Sequence, residues 1–317
     1  MEAAALRILV IKLGALGDLV QAFGPFAAIR RHHEDAHITL LTSPPYTSFA
    51  TASGLFDEVW QDDRPKALQV SGWLALRARL RASGFSRIYD LQTSDRSSFY
   101  LRLFWPGPFP EWSGIATGAS HPHANPKRDL MHTVERQAEQ LGMIGIAAVP
   151  NPDFSWVAAD IGKFELPARY ALLVPGGAPH RPAKRWPTER YGDLANWHLR
   201  QGILPVLIGT EAEGDILAAI ANACPQSRSL VGKTDFLEIA ALAHGAVSAV
   251  GNDTGPMHLV AAVGCASVVL YSNESDPALC AQRGPRVAIL RRPSLDDLDT
   301  AQVEKVLAAL WQERTTS

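Results

Sequence analysis

Three short segments combine glycines with cations or carboxylates, and two of them suit a phosphate-containing ligand. The first is Gly251–His258 (GNDTGPMH), which follows an apolar run and leads into a stretch of small residues. Pro256 suits the first turn of a helix, so the segment is predicted to be a strand–loop–helix junction. Asp253 or Thr254 can cap that helix, and its free N–H groups offer an anion site. An ordinary turn with a capping aspartate is the alternative.

The second segment is the basic loop Pro175–Pro187 (PGGAPHRPAKRWP), which places two glycines and several cations before a predicted helix. Lys184 and Arg185 would neutralise a diphosphate leaving group, because fixed positive charge stabilises negative charge that develops in a transition state. A solvated basic loop is the alternative. Trp186 is interpreted as a packing residue.

The third segment is Gly14–Asp18 (GALGD), which directly follows an apolar run. It lacks the three glycines of a dinucleotide loop and the acidic residue about 20 positions further on. A carboxylate at Asp18 would repel a pyrophosphate, so it is better suited to act as a general base on a neutral hydroxyl. A helix N-cap is the alternative role.

Two further side chains, Glu213 and His258, are candidates for contacts with a ligand. Glu213, in the segment Gly209–Asp215, suits the hydroxyls of a ribose, although an acidic residue in a helix's first turn explains it nearly as well. His258 lies on the small helix after Thr254. A lone histidine there is more often structural than catalytic.

The elements that position these segments follow a repeated β–α order. Apolar runs predict four strands in the first half, Arg7–Leu13, His37–Thr42, Glu58–Trp60 and Arg87–Leu91, with amphipathic segments between them. Regular pattern is then lost from Trp105 to Arg128. That stretch is predicted to be a long surface loop carrying His121, His123, Lys127 and Arg128, either functional or simply solvated.

The second half restarts the same order after the prolines of residues 149–168. Strands are predicted at Tyr170–Val174, Gly202–Gly209, Ser229–Gly232, Ala246–Val250 and Ser267–Tyr271, separated by helices. Two βαβ series predict an α/β protein with two Rossmann-like doubly wound domains facing each other across a cleft. The expected domains are residues 1–155 and 156–298, followed by a closing helix in residues 299–317.

Composition excludes several classes of function. The 317 residues are 47% hydrophobic and 20% charged, with a net charge of −2, so no global field favours nucleic acid or an acidic membrane. Three cysteines at unrelated spacings indicate reduced thiols of a cytoplasmic protein. No signal cleavage site is evident, and no apolar run approaches the roughly 20 residues that span a bilayer.

Together, Ile8–Asp18 (ILVIKLGALGD), Pro175–Pro187 and Gly251–His258 resemble the lipopolysaccharide heptosyltransferase family, glycosyltransferase family 9. The resemblance implies the GT-B fold, an ADP-heptose donor and an inverting mechanism without metal or cofactor. It also implies a lipid A–Kdo or core oligosaccharide acceptor, and leaves open a peripheral contact with the cytoplasmic face of the inner membrane.

The resemblance assigns a role to each matching position. Asp18 would be the general base, Lys184 would hold the diphosphate, Glu213 the ribose and Asp253 the hydroxyls of the donor sugar. The remaining donor-side positions are Gly177, Arg185, Thr254, Gly255 and His258. Gly17, beside Asp18, is an acceptor-side position. Lys127 and Arg128 are also predicted to bind the acceptor, not from the resemblance but because such cations would suit a phosphorylated or carboxylated sugar.

The sequence departs from the family pattern in two places. Ala178-Pro179-His180 stand where hydroxyl residues are common, and the stretch Trp105–Arg128 matches nothing in the family. The alternatives are a nucleotide-sugar epimerase of the same architecture, a transferase using another nucleotide sugar, a nicotinamide oxidoreductase, and a non-catalytic sugar-binding protein. The oxidoreductase would need the dinucleotide fingerprint that Gly14–Asp18 lacks.

Overall fold

A computed structural model describes residues 6–312 and divides the chain into two compact units. Unit 1 runs up to Pro152 and unit 2 begins at Asp153. The division falls in the proline-flanked stretch 149–168. Among the described residues, no helix is both long enough and apolar enough to cross a bilayer.

Unit 1 contains a six-stranded parallel sheet in the order β3-β2-β1-β4-β5-β6. Its strands are β1 (Arg7–Ile11), β2 (His37–Thr42), β3 (Glu58–Gln61), β4 (Arg87–Asp90), β5 (Glu111–Gly114) and β6 (His121–Pro122). Its helices are α1 (Leu16–Gln21), α2 (Phe23–His32), α3 (Thr47–Ala52), α4 (Val70–Ala82), α5 (Asp95–Tyr100) and α6 (Thr133–Gly142).

The core of unit 1 forms around its central strand. Residues 8–11 of β1 are fully buried, as expected for a parallel strand covered on both faces. On one side of the sheet, Leu9 and Ile11 belong to a cluster with Leu80 of α4 and Trp112 of β5. Because this continuous apolar run is buried, β1 is the central strand of the core of unit 1.

The surface loop predicted over Trp105–Arg128 is wrong. This stretch contains β5 and β6, which extend the sheet by two strands, and both Trp112 and His123 are buried. The strands have only four and two residues and lie between Pro- and Gly-rich turns, so they are too short to show a period-2 pattern. Burial of Trp112 fixes the register of β5 beside β4.

Unit 2 repeats the architecture, with strand order β12-β11-β10-β7-β8-β9 and all pairs parallel. Its strands are β7 (Tyr170–Val174), β8 (Leu204–Leu207), β9 (Arg228–Ser229), β10 (Ser248–Asn252), β11 (Ser267–Tyr271) and β12 (Val287–Arg291). Its helices are α7 (Thr188–Arg200), α8 (Gly214–Ala223), α9 (Phe236–Gly245), α10 (Gly255–Ala262), α11 (Pro277–Cys280) and α12 (Thr300–Gln312).

The closing helix α12 is part of the core of unit 2. Its Val303 and Leu307 are fully buried in the cluster that holds Leu173 of β7 and Leu194 of α7. The closing helix was predicted in residues 299–317, of which 313–317 lie outside the described part of the chain.

Both sheets have the strand order of doubly wound nucleotide-binding domains, which confirms the predicted α/β class and its two Rossmann-like halves. In each sheet the order reverses beside the first strand, between β1 and β4 in unit 1 and between β7 and β10 in unit 2. Ligands of such sheets bind at the carboxyl ends of the strands at this switch point. All three candidate segments follow one of these strands.

Candidate functional site

Asn252 joins the two loops at the switch point of unit 2. This fully buried side chain ends β10, and its Nδ2 donates hydrogen bonds to the carbonyls of Pro175 at 2.7 Å and Gly176 at 3.1 Å. Its Oδ1 accepts from the Trp186 N–H at 3.0 Å and the Tyr191 hydroxyl at 3.1 Å. One amide therefore holds both ends of the basic loop Pro175–Pro187 against β10.

Trp186 has the packing role predicted for it. Its ring is 2% exposed, contacts Tyr191 edge-to-face, and donates from Nε1 to the Leu298 carbonyl at 2.8 Å. Lys184 and Arg185 are thereby anchored by a buried neighbour in the chain.

Lys184 and Asp253 form an ion pair, with Nζ 2.5 Å from Oδ2. The side chains are only 15% and 7% exposed, so water screens the pair weakly. Gln282 Nε2 also donates to Asp253 Oδ1 at 3.1 Å. Burial alone would raise the pKa of Asp253, but the hydrogen bond and charge of Lys184, aided by Ser275 and Gln282, hold it below its usual value. Asp253 is therefore an anion at neutral pH.

Glu213 connects the glycine pair to a third strand end. Its Oε1 accepts from the Gly177 N–H at 2.9 Å, and its Oε2 accepts from the Thr210 N–H at 2.8 Å and the Thr210 hydroxyl at 3.0 Å. Gly176 leaves the space for this carboxylate, because a Cβ there would overlap it. The capping contact named as the alternative role is present, and the ribose contact stays a prediction.

The start of α10 carries a hydroxyl that forms no capping bond. Thr254 is the N-cap residue but makes no side-chain capping bond, and its buried Oγ1 has no hydrogen-bond partner among the described residues. Gly177 lies beside it, since a Cβ there would come within 3.9 Å of Thr254 Cγ2. Arg185 donates to the Gly177 carbonyl at 2.6 Å. His258 is buried on the same helix. Unpaired donors at a helix N-terminus suit an anion.

The structure thus brings the donor-side positions together within unit 2. These are Gly177, Lys184, Arg185, Glu213, Asp253, Thr254, Gly255 and His258, on the loops after β7 and β10, on α10 and on the turn after β8. Asn252 and Gln282 also take part, and sequence reasoning did not single them out. The position of Asn252 at the end of a buried apolar run was a usable signal, whereas Gln282 had none.

In unit 1, Asp18 lies in the first turn of α1, with its Oδ2 3.3 Å from the Ala15 N–H. It is half-buried, and Gly17 beside it is buried. Lys12, at the end of β1, is 3% exposed and donates from Nζ to the Leu91 carbonyl at 3.1 Å. Burial lowers the pKa of Lys12, whereas the charges of Asp18 and Asp90 raise it. Asp18 is therefore within electrostatic reach of a buried cation.

A cavity of about 560 Å³ opens beside Gly14 and Ala15. Arg64 lines it, with a backbone φ of +46° and a 2.7 Å hydrogen bond from Nη2 to the Leu13 carbonyl. Tyr46 lies over Gly14, since a Cβ on that glycine would come within 2.6 Å of the ring. Arg64 was not predicted, because its relation to Gly14 depends on contacts 50 residues apart in the chain.

The two predicted acceptor-side cations, Lys127 and Arg128, have different surroundings. Arg128 is 14% exposed, and its Nη2 donates to Thr93 Oγ1 at 3.0 Å, which brings it near the end of β4. Burial lowers its pKa, as does the nearby charge of Arg136, a residue that was not predicted. Lys127 instead lies exposed in the preceding turn. Over residues 6–312, no contact links Lys127 to Asp18.

Metal ligands are not grouped in the described part of the chain. Over residues 6–312, no three His, Cys, Asp or Glu side chains come together as a metal-binding set. The metal-free mechanism remains a prediction.

Comparisons with known proteins match a region that contains two of the three sequence motifs, Pro175–Pro187 and Gly251–His258. The family model described as "Glycosyltransferase family 9 (heptosyltransferase)" matches residues 73–306. The lipopolysaccharide heptosyltransferase 2 of Salmonella typhimurium is 38% identical over 105 residues, which cover 31% of this chain and only 30% of that relative.

Two solved structures resemble the whole chain. The glycosyl transferase family 9 protein from Veillonella parvula superposes with a TM-score of 0.85, at 20% identity over 99% of both chains. The ADP-heptose lps heptosyltransferase II of E. coli superposes with a TM-score of 0.78, at 21% identity over 98% of this chain and 100% of that one. At these identities the likeness supports the GT-B fold alone.

Proposed function

Since the chain belongs to glycosyltransferase family 9 (heptosyltransferase), we propose that it transfers heptose from ADP-heptose to a lipopolysaccharide core saccharide. The reaction inverts the anomeric carbon. The observation that carries the proposal is the family match over residues 73–306, which includes the loops after β7 and β10.

The donor binds in unit 2. Its diphosphate lies at the start of α10, where the Thr254 hydroxyl and the first N–H groups of the helix are available as donors. Lys184 contributes its charge, and the diphosphate competes with Asp253 for the ammonium group. Glu213, which accepts a hydrogen bond from the Gly177 N–H, also accepts hydrogen bonds from the ribose.

Asp18 supplies the base. Its carboxylate takes the proton of the acceptor hydroxyl, and the oxygen attacks the anomeric carbon of the heptose. The bond from that carbon to the β-phosphate breaks, and its electron pair leaves with ADP. Lys184 and the dipole of α10 stabilise the negative charge that develops on the phosphate.

The acceptor binds in unit 1. Arg64 beside Gly14 and Ala15, with Arg128 and Arg136 near β4, provides cations for a phosphorylated or carboxylated saccharide. We further propose that this acceptor is lipid-linked and that the protein acts at the cytoplasmic face of the inner membrane.

Nucleotide selectivity tests the donor class. Thermal shifts with ADP, UDP, GDP, CMP and NADH are expected to show stabilisation by ADP above all others. A preference for UDP would move the protein to another donor, and a response to NADH would favour an oxidoreductase. Analysis of products formed from ADP-heptose without any acceptor separates a transferase from an epimerase, because only an epimerase converts the sugar alone.

Replacement of Asp18 tests the base. Asp18→Asn should lower kcat by roughly 10²–10⁴-fold, the range for general base catalysis, and leave ADP affinity unchanged. Asp95→Asn is the matched control, since Asp95 also lies in the first turn of a unit 1 helix and loses the same dipole interaction. Transfer at the parent rate by Asp18→Asn would remove this residue from the mechanism.

A further inference from the structure

A surface of unit 1 combines exposed apolar side chains with an excess of positive charge, although one of its cations, Arg87, pairs with Glu111. Residues 64–89, which include α4, contain six lysines and arginines and no aspartate or glutamate. This local excess contrasts with the net charge of −2 of the whole chain. It marks one region as attractive to an anionic partner.

The apolar side chains at the start of α4 face away from the core. Leu68 is 94% exposed, Val70 is 64% exposed and Leu74 is 57% exposed. The helix packs inward through the fully buried Leu80. Apolar side chains that are exposed in a group are stabilised by a second apolar phase.

The arginines of α4 are held by carbonyls and rings rather than by carboxylates. Arg77 donates to the Trp105 carbonyl at 2.7 Å, Arg81 donates to the Gly107 carbonyl at 2.9 Å, and Arg79 lies 3.8 Å from the Trp60 ring centre. Over the described residues none of the three forms an ion pair. Their charge therefore remains available to an anionic surface.

These same arginines hold a second exposed apolar group in place. Trp105 is 69% exposed and Phe109, four residues on, is 52% exposed. Tryptophan favours the interface between lipid head groups and acyl chains, because its ring has an apolar body and a polar N–H.

We propose that this surface, the α4 surface of Lys66, Leu68, Val70, Leu74, Arg79 and Trp105, docks on an anionic phospholipid bilayer. The apolar side chains enter the boundary of the acyl chains and the cations bind lipid phosphates, which is how amphipathic segments rest on membranes. No spanning helix is required.

Docking through this surface brings a membrane-embedded acceptor to the protein, an inference that rests on the proposed function. Arg64 lines the cavity beside Gly14 and Ala15, and Leu68 lies only four residues further along the chain. A bilayer held at Leu68 places the saccharide of a membrane-embedded acceptor close to that cavity.

Vesicle co-sedimentation of the full chain tests the proposal. The parent protein should bind vesicles of phosphatidylcholine containing phosphatidylglycerol and bind poorly to phosphatidylcholine alone. Leu68→Ser with Leu74→Ser should weaken binding by roughly tenfold or more. Lys66→Gln and Arg79→Gln should each weaken it by about fivefold. Met143→Ser is the control, because Met143 is a 50% exposed apolar residue of unit 1 outside this surface.

Binding that is unchanged in the double leucine variant, or equal on both kinds of vesicle, would overturn the proposal. So would a parent dimer that the leucine variants dissociate without any vesicle binding, since the surface would then join two copies of the chain. All variants should keep the parent thermal stability and ADP affinity. Vesicle binding without heptose transfer would refute only the proposed function, and the converse result would refute only the docking.

Discussion

Asn252 shows what a single side chain does at the candidate site. Its amide donates to the carbonyls of Pro175 and Gly176 and accepts from the Trp186 N–H and from the Tyr191 hydroxyl of α7. An aspartate would keep the acceptors but turn a carboxylate towards the carbonyls of Pro175 and Gly176. The end of a buried apolar run was a signal for the residue itself, but its partners could not be predicted, because they lie 61 to 77 positions away in the chain.

Lys184 and Asp253 were predicted to contact different parts of a donor, and the structure pairs them with each other. Replacing one partner would leave the other charged and largely buried, which is costly. The pair therefore ties the loop after β7 to the loop after β10. A phosphate that draws the Lys184 ammonium away would also leave the Asp253 carboxylate free for a sugar hydroxyl.

Asp90 should give unit 1 a distinct pH dependence. It is fully buried at the end of β4, and burial raises its pKa to about 6, although N–H groups and Lys12 oppose the shift. Because the folded pKa exceeds the unfolded one, the folded state binds more protons between these values. The stability from protonated Asp90 is present at about pH 4 and is lost as the pH rises through about 6.

Asp90→Asn measures this contribution directly. As the pH rises from about 4 to about 7, the free energy of unfolding of the parent should fall relative to the variant by roughly 3 kcal/mol, at 1.36 kcal/mol for each pKa unit. Urea unfolding at several pH values and constant ionic strength provides the comparison. A difference between the two proteins that is independent of pH would contradict the raised pKa.

Strands with continuous apolar runs were the most predictable elements. Tyr170–Val174 and Ser267–Tyr271 have the bounds that the sequence predicts, because both are fully buried and end at a glycine loop or a polar turn. The missed elements are short or atypical: β5 and β6 lie among prolines and glycines, and β12 follows Gly284-Pro285 with only half-buried residues. Helix α3 has six residues, too few for helical periodicity.

The glycine pair after β7 offers a test of how this loop is built. At Gly176 a new Cβ would overlap the Glu213 carboxylate, whereas at Gly177 the nearest atom would be 3.4 Å away. Gly176→Ala should therefore lower the free energy of unfolding by about 1–3 kcal/mol, the usual effect of overpacking. Gly177→Ala should change it by no more than about 0.5 kcal/mol. Thermal unfolding of the two variants checks this difference.

A double-mutant cycle identifies the cause. In a Glu213→Ala background the overlap is absent, so Gly176→Ala should become nearly neutral. If Gly176→Ala is equally destabilising with and without the Glu213 carboxylate, the loop is limited by backbone conformation instead. That result would also weaken the assignment of Glu213 as the group that fixes the Gly177 N–H.

The whole chain consists of two sheets of identical strand order, and the candidate residues divide between them. Asp18, Arg64 and Arg128 belong to unit 1, and every donor-side position belongs to unit 2. This division could be predicted, because strand order and glycine loops are local signals that recur along the chain. The supporting contacts, such as Arg64 on the Leu13 carbonyl and Gln282 on Asp253, could not, because they depend on tertiary packing.

Unit 2 alone should bind ADP. Its sheet, its core and all donor-side positions lie in residues 153–317, so this fragment should fold and bind ADP within about tenfold of the affinity of the full chain, a difference of about 1.4 kcal/mol. Residues 1–152 should not bind ADP.

A fragment of residues 153–298 is the control, because it lacks α12, whose Val303 and Leu307 are fully buried in the core, and it should fail to fold. Calorimetry with ADP measures the affinities and circular dichroism measures folding. A folded 153–317 fragment without ADP affinity would mean that residues of unit 1 complete the donor site.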